Sequence, residues 1–343
     1  MPDGLSFALK LNIYGQALET PFDVFAGLAR QAEDVGFGGI YVVDHLYLPA
    51  DRYIAYTWSD PHKPYFLDAW SVLAALAATT KRVRLGPQVS PLTFRHPSLL
   101  ARAATTVDLI SNGRLVLQLG TGWHRAEHAN FGLPYDDDIA VRVERLVEGV
   151  EVVRGLMAAP GPYSYQGKHF QLDNAPFWPK PVQKPAPPIW FGGSTKKTQM
   201  LVAEHGDGWT PAMPQGAGMG AERFAKAIEG IRNRAEEVGR DPNAFEFGVV
   251  VTTAISETKA GAADLASVLR RRADYKDIDF DDLTAQGALV WGSPDDCLRT
   301  LEPYVRAGAR SLTLNFVPFG DASSARRGME LYAAKVLPRL AEL

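Results

Sequence analysis

Residues 108–134 read DLISNGRLVLQLGTGWHRAEHANFGLP and contain a strand, a glycine turn and the start of a helix, in that order. The strand is RLVLQLGTG (114–122), an apolar run that ends on Gly120 and Gly122. A helical pattern precedes this strand and another follows it, which is the arrangement of a βα unit. The stretch therefore predicts an α/β protein whose parallel strands are covered by helices.

The same alternation of strand and helix patterns extends over the rest of the chain. The predicted strands are SFALKLNIY (6–14), GIYVVDH (39–45), RVRLGPQVS (82–90), RLVLQLGTG (114–122), PIWFGG (188–193), GWTPA (208–212), FEFGVVVTT (245–253) and RSLTLNFV (310–317). Eight such units predict a single (β/α)8 TIM barrel as one domain over residues 1–343. An open, doubly wound sheet is the alternative.

Three segments are longer than the connection between a strand and a helix requires. Residues 47–68, after strand two, are rich in Tyr, Trp, His and Pro and are expected to form a lid. Residues 161–188, before strand five, begin with a hairpin pattern and continue as a proline-rich run. The third insertion, roughly residues 255–287 after strand seven, carries many charges and predicts a solvated surface or a subunit contact.

The composition limits the possible partners. The formal net charge is −3, and Lys and Arg are scattered, so the chain lacks the basic surface that nucleic acid requires. No stretch approaches 18 uninterrupted apolar residues, and the first residues lack a signal-peptide pattern, so we expect a cytoplasmic protein without a membrane partner. The single cysteine, Cys297, lies on the predicted buried side of a helix and is expected to be structural.

Several motifs, in this order along the chain, resemble the bacterial-luciferase-like superfamily. They are VVDH (42–45), LGPQVSPLTFRHPSLLA (85–101), VDL (107–109), SNGR (111–114), LGTGW (119–123), PKPVQKPAPPIWFGGSTKKT (179–198), HGDGWTP (205–211) and GSPDDCLRTLEPYVRAGARSLTLNFV (292–317). Asn112 and Thr121 are mild departures from the family pattern. The resemblance spans nearly the whole chain and implies a barrel oxidoreductase that binds a flavin or deazaflavin at the carboxyl ends of its strands.

Within this family, the segments at strands three and four and the closing segment look most like the members that use the deazaflavin F-420. The resemblance implies hydride transfer between F-420 and a small organic substrate, and it implies a homodimer. An FMN-dependent monooxygenase that uses reduced flavin and O2 is the alternative. The sugar-phosphate dehydrogenases of the F-420 branch place a tryptophan just after Asp-His, whereas LYLPADRY (46–53) follows here, so glucose 6-phosphate is not the expected substrate.

Asp44 and His45 end the second predicted strand and are the first site candidates. Side chains at the carboxyl ends of barrel strands face the catalytic mouth. In similar enzymes this histidine faces the reactive part of the ring, so the resemblance gives His45 the catalytic role and places Asp44 beside the cofactor. An imidazole can donate or accept a proton near neutral pH. Alternatively, both side chains only hydrogen-bond to the start of a loop.

The resemblance also implies further cofactor contacts. Gln88 and Val89 are expected to contact the ring, at a position where members often have a cis non-proline peptide. Thr121 is expected to hydrogen-bond to the cofactor, and His124 to approach it. The glycines of FGGST (191–195) suit either a tight turn or a phosphate bound at the start of a helix. The predicted phosphate ligands are Gly192, Gly193, Ser194 and Thr195.

The aromatic residues of the predicted lid indicate an apolar or planar substrate. Simple packing of the lid onto the barrel rim would explain the same residues. The candidate substrate contacts are Tyr47, Tyr53, Tyr56 and Trp58.

The pentad HRAEH (124–128) matches the H-x-x-E-H pattern of zinc hydrolases. Here it directly follows a glycine turn and lies at the start of a helix, so its context differs from that of a zinc site. We therefore predict no metal and expect Glu127 to cap the helix. A zinc hydrolase and a non-catalytic flavin-binding barrel are the less favoured alternatives.

Overall fold

A computed structural model describes most of the chain. The described residues are 4–13, 22–48, 66–211, 219–271, 275–318 and 321–343. Three of the predicted substrate contacts, Tyr53, Tyr56 and Trp58, lie outside the described residues, as does most of the predicted lid.

Strands and helices alternate along the described chain. In chain order they are β1 (Ser6–Leu11), α1 (Phe22–Asp34), β2 (Gly39–Val42), α2 (Ala69–Thr79), β3 (Arg84–Pro87), β4 (Ser90–Pro91), α3 (Pro97–Ser111), β5 (Leu117–Gly120), α4 (Arg125–Asn130), α5 (Ile139–Ala158), β6 (Tyr163–Gln166), β7 (Gln171–Ala175), β8 (Ile189–Gly192), α6 (Lys196–His205), β9 (Gly208–Thr210), α7 (Ala221–Glu237), β10 (Glu246–Ile255), α8 (Lys259–Ala266), α9 (Phe280–Ala285), β11 (Leu289–Gly292), α10 (Pro294–Arg306), β12 (Ser311–Phe316), α11 (Ala322–Leu331) and α12 (Leu337–Leu340). Short 3₁₀ turns lie at Leu92–Phe94 and Ser267–Arg271, and a π-helical turn at Tyr332–Val336 joins α11 to α12.

The parallel strands form a nearly closed barrel. They pair in the order β3, β2, β1, β12, β10, β9, β8, β5, β4. The two ends of this series, β3 and β4, are separated in the chain only by Gln88 and Val89, and Leu85 of β3 also pairs with Leu115. We therefore treat β3 and β4 as one interrupted barrel strand, which makes eight strands. The predicted TIM barrel is confirmed.

Additional elements occupy two of the long connections. An antiparallel hairpin of β6 and β7 precedes β8, and β11 pairs with the end of β10 after the helices α8 and α9. Among the described residues, no helix combines the length and the apolar character that crossing a bilayer would require.

Side chains of the barrel interior come from alternate residues of the strands. In β1, Leu9 and Leu11 belong to the main core. Because successive side chains of a strand point to opposite faces, Lys10 and Asn12 face the barrel interior. The fully buried apolar residues of this interior are Ala8, Tyr41, Val116 and Trp190.

A partly buried ion pair lies at the amino-terminal end of the barrel interior. Arg84, the first residue of β3, donates to both carboxylate oxygens of Glu246, the first residue of β10, at 2.7 Å. The Arg84 guanidinium also lies 5.1 Å from the centre of the Trp190 ring. The interior is therefore filled at this end.

The guanidinium of Arg114 ties the end of α2 to β3 and to the turn before β5. It donates to five acceptors, four of them backbone carbonyls that neighbouring elements leave available. These carbonyls belong to Ala77 (2.8 Å), Thr80 (3.0 Å), Val83 (2.7 Å) and Ser111 (2.7 Å), and the fifth acceptor is the Thr80 hydroxyl (3.0 Å). One side chain thus supplies hydrogen-bond donors to backbone carbonyls at the ends of three elements.

We expect Arg114→Met to lower the free energy of unfolding by about 2–4 kcal/mol, because several partly buried carbonyls would lose a charged donor. Arg306→Met is the control: Arg306 is exposed and pairs with Glu302 one helical turn away, which is worth about 0.5 kcal/mol or less. Urea unfolding of both variants measures the difference. A loss in the Arg114 variant no larger than in the control would contradict this role.

Candidate active site

The predicted site residues lie around one rim of the barrel. Asp44 and His45 follow β2, Thr121 follows β5, and Gly193 follows β8. Because the strands are parallel, their carboxyl ends share this rim, which we call the mouth.

His45 is held by a carboxylate from a different βα unit. Its Nδ1 lies 2.9 Å from Oε2 of Glu127 and 3.2 Å from Oε1. Glu127 lies in α4 and also accepts hydrogen bonds from the backbone N–H groups of Leu46, at 2.5 Å, and Tyr47, at 3.0 Å. One buried carboxylate thus orients the imidazole and the start of the following loop.

The protonation of this pair follows from its contacts. Burial disfavours the charged form of Glu127, but the hydrogen bond and charge of His45 and the two N–H donors outweigh it and lower the pKa of the carboxyl. An ionised carboxylate can only accept, so Nδ1 of His45 carries a hydrogen and donates it. Nε2 is then the ring nitrogen left to exchange a proton with another group.

Asp44 precedes His45 in the chain and is buried. Its Oδ2 accepts from the Ser90 hydroxyl at 2.5 Å and from Arg95 Nη1 at 2.6 Å. Burial raises the pKa of the Asp44 carboxyl, and the charge of Arg95 and the Ser90 hydrogen bond only partly oppose it. These contacts join the end of β2 to β4. A direct contact between Asp44 and a cofactor stays a prediction.

Gln88 and Val89 form the break between β3 and β4, and the peptide bond between them is cis. The Gln88 side chain donates to the Thr313 hydroxyl at 3.3 Å, inside the barrel. Val89 is half-buried and lies against two glycines of neighbouring strands. A Cβ atom added at Gly120 would lie 2.8 Å from Val89, and one added at Gly192 would lie 2.7 Å from it. Glycine at these two positions therefore lets the Val89 side chain lie between β5 and β8.

A cavity of about 240 Å³ lies between the ends of β5 and β8 and the helices α5 and α6. Gly193, at a φ of 105°, forms the turn before α6. Trp209 Nε1 donates a hydrogen bond to the carbonyl oxygen of Gly193 at 2.8 Å. Thr195 is the N-cap of α6 and accepts from the backbone N–H of Thr198. The residues that line the cavity include Thr121, Gly122, Trp123, Gly192, Gly193, Thr195 and Thr198.

Two cationic side chains, Arg142 and Lys197, also line this cavity. Arg142 donates to the carbonyl oxygen of Gly122 at 2.5 Å, while its buried Nε has no hydrogen-bond partner among the described residues. Helix N–H groups and cations together favour an anion. The cavity therefore fits a phosphate group, and the sequence analysis had not identified Arg142 or Lys197.

An aromatic wall flanks His45. The Trp123 ring meets the His45 ring edge to face, with centres 5.8 Å apart, and is 46% exposed. The His124 ring stacks on Trp123 at 4.9 Å and on Tyr47 at 6.1 Å. Tyr47 and His124, predicted as substrate and cofactor contacts, are thus beside the candidate catalytic residue.

The H-x-x-E-H pentad is used for internal contacts. Glu127 contacts His45 and does not cap α4, so the expected helix cap is wrong. His128 donates from Nδ1 to the His124 carbonyl at 2.8 Å, and its Nε2 lies 2.7 Å from the Thr93 hydroxyl. Among the described residues, no three His, Cys, Asp or Glu side chains are grouped so that they could hold a metal ion.

Comparisons with known proteins show which family the chain belongs to. The family model described as luciferase-like monooxygenase matches residues 6–311. The F420-dependent glucose-6-phosphate dehydrogenase of Amycolatopsis mediterranei (strain U-32) is 26% identical over 333 residues, which cover 92% of this chain and 93% of that protein.

Two solved structures share the fold. The coenzyme F420-dependent tetrahydromethanopterin reductase of Methanopyrus kandleri has a TM-score of 0.77 and 21% identity, with 98% of this chain and 99% of the other covered. The monooxygenase RslO1 of Streptomyces bottropensis has a TM-score of 0.80 and 24% identity, with coverage of 98% and 100%. The family match spans most of the sequence and confirms the resemblance that the motifs indicated: the chain belongs to the luciferase-like monooxygenase family.

Proposed function

We propose that this protein transfers a hydride between F-420 and a small organic substrate at the barrel mouth. The observation that carries the proposal is the position of His45. Ionised Glu127 accepts a hydrogen bond from its imidazole, and the residue lies on the same rim of the barrel as the cavity that fits a phosphate group. A proton-exchanging imidazole near a phosphate site suits a ring cofactor with a phosphate-bearing tail. The relative described as F420-dependent supports this choice of cofactor.

The ring of the cofactor would lie against Gln88 and Val89, with Thr121 and Asp44 at its border. The apolar Val89 side chain lies between Gly120 and Gly192, where larger residues would clash with it. When bound, F-420 supplies or accepts the hydride, and the protein supplies orientation and polarity.

The tail phosphate would lie at the start of α6. The predicted ligands Gly192, Gly193, Ser194 and Thr195 belong to this turn, and their backbone N–H groups are joined by Lys197 and Arg142. Backbone donors at the start of a helix and nearby cations together favour the binding of an anion.

His45 would exchange the substrate proton. With Nδ1 bonded to Glu127, neutral His45 can accept the proton of an alcohol at Nε2 as the hydride leaves the carbon. In the reverse direction, Nε2 returns the proton to the oxygen of a carbonyl compound. Tyr47 and the exposed ring of Trp123 favour an apolar or planar substrate. The contacts from Tyr53, Tyr56 and Trp58, and the homodimer, stay predictions.

The second candidate function is an FMN-dependent monooxygenase that uses reduced flavin and O2. Its support is the fold shared with a monooxygenase at a TM-score of 0.80. Fluorescence titration of the protein with F-420 and with FMN, each oxidised and reduced, separates the two functions. Tight binding of F-420 alone is the expected result, and preference for reduced FMN would favour the monooxygenase. Binding of neither would refute both.

We expect His45→Ala to reduce turnover by about 100-fold or more, because the proton-exchanging group is lost, while cofactor affinity changes little, because His45 does not line the phosphate cavity. His169→Ala is the control, since His169 pairs with Glu144 at 3.0 Å in a second histidine–glutamate pair, outside the mouth. Steady-state kinetics and cofactor titration measure both variants. Unchanged turnover in His45→Ala would remove His45 from the mechanism.

Glu127→Gln keeps the shape of the side chain but replaces one carboxylate oxygen with an amide donor. If the amide oxygen still accepts hydrogen bonds from the backbone N–H groups of Leu46 and Tyr47, the amide nitrogen faces His45 Nδ1. Nδ1 must then accept a hydrogen bond from this amide and can no longer carry a hydrogen. We expect turnover to fall by about 10-fold or more, and ¹⁵N NMR to show the His45 hydrogen moving from Nδ1 to Nε2. Glu144→Gln is the control. An unchanged His45 tautomer would disprove the positioning role of Glu127.

Lys197→Met should weaken FMN or F-420 binding about 10-fold through the loss of one charge near the phosphate. Riboflavin, or the F-420 chromophore without its phosphate tail, should bind wild type and variant equally. Lys196→Met is the control, because the exposed Lys196 does not line the cavity. If Lys197→Met weakened the binding of ligands with and without a phosphate equally, the cofactor phosphate would bind at another place.

A further inference from the structure

Lys10 is a charged residue in the middle of an apolar strand. Its neighbours Leu9 and Leu11 are 2% and 3% exposed and pack outwards, so the Lys10 side chain faces the barrel interior. Asn12, the next inward residue, donates to Asn315 at 2.9 Å, and Lys10 itself is in register with Tyr41 of β2. Lys10 therefore lies within the barrel, one layer below its mouth.

This lysine has no counter-ion among the described residues. Two other charged residues of the interior, Arg84 and Glu246, bind each other at the amino-terminal end. Burial raises the pKa of the neighbouring Tyr41, so that it stays neutral. Burial lowers the pKa of Lys10 to about 8. At neutral pH the side chain is therefore mostly protonated, although a buried charge without a partner disfavours folding.

Other polar groups of the interior are also unsatisfied. Gln118 is fully buried and neither of its amide atoms has a partner among the described residues. The same holds for Oε1 of Gln88 and Oδ1 of Asn12. Buried polar groups in native proteins are nearly always hydrogen-bonded. The interior below the mouth thus combines one cation with buried amide donors and acceptors that have no partner among the described residues.

The cation can be reached from the mouth. Lys10 is half-buried although both of its neighbours are buried, and the opposite end of the interior is filled by Arg84 and Trp190. A ligand at the mouth could therefore approach the ammonium group.

We propose that Lys10 binds negative charge on the ring of the bound cofactor, and that it makes the site prefer the reduced ring over the oxidised one. The inference rests on the proposed function, since it requires a deazaflavin or flavin ring at the mouth. Hydride uptake adds two electrons and one proton to the ring, which leaves it with one negative charge more than before. A fixed cation close to the ring stabilises that charge.

The test compares wild type, Lys10→Met and the surface control Lys226→Met by anaerobic titration with F-420 and FMN, each oxidised and reduced. Lys10→Met removes the charge and keeps the length of the side chain. We expect it to weaken binding of the reduced cofactor about 10-fold or more and binding of the oxidised form less than about 3-fold. The control should match wild type in both states.

Equal losses for the two redox states, or no loss, would overturn the proposal. Binding of neither cofactor to wild type would refute the proposed function itself, a result distinct from a lost redox preference. Because the folded pKa of Lys10 lies below its unfolded value, its charge lowers stability below about pH 8, and this loss disappears as the pH rises towards 10.5. Lys10→Met should therefore be at least as stable as wild type at pH 7, and failure to fold would also contradict the account.

Discussion

The carboxylate of Glu127 joins the ends of β2 and β5, and the geometry of the candidate site depends on this contact. It accepts from His45 Nδ1 and from the backbone N–H groups of Leu46 and Tyr47. Three donors offset the desolvation of a buried charge, which is why the carboxyl is ionised inside the protein. The same contact sets the tautomer of the imidazole, so that Nε2 is the ring nitrogen without a hydrogen.

The barrel separates the groups that stabilise it from the groups that face the mouth. At the amino-terminal end, Arg84 and Glu246 form an ion pair with each other. Arg114 donates hydrogen bonds to backbone carbonyls of three elements. Below the mouth, Lys10 and Gln118 have no such partners among the described residues. Polar groups without partners cost stability, which is why we propose that Lys10 binds the cofactor ring.

Much of the fold and part of the site could be predicted from the sequence. All eight barrel strands were identified because buried parallel strands form apolar runs, and Asp44, His45 and Thr121 were placed at the mouth because parallel strands share their carboxyl ends. The partner of His45 was not identified, because Glu127 is 82 residues away and its local context suggested a helix cap. Arg142 and Lys197 were missed for a similar reason: their approach to the cavity depends on how α5 and α6 pack. Lys10 carried a local signal that was overlooked, a charge at an inward position of an apolar strand.

The most direct test of this account is a crystal structure of the protein with F-420. The account predicts the deazaflavin ring against Gln88 and Val89, its reactive face towards His45 Nε2, and its phosphate at the N–H groups of residues 193–195. A ring bound elsewhere, or a phosphate outside the cavity between β5 and β8, would contradict it.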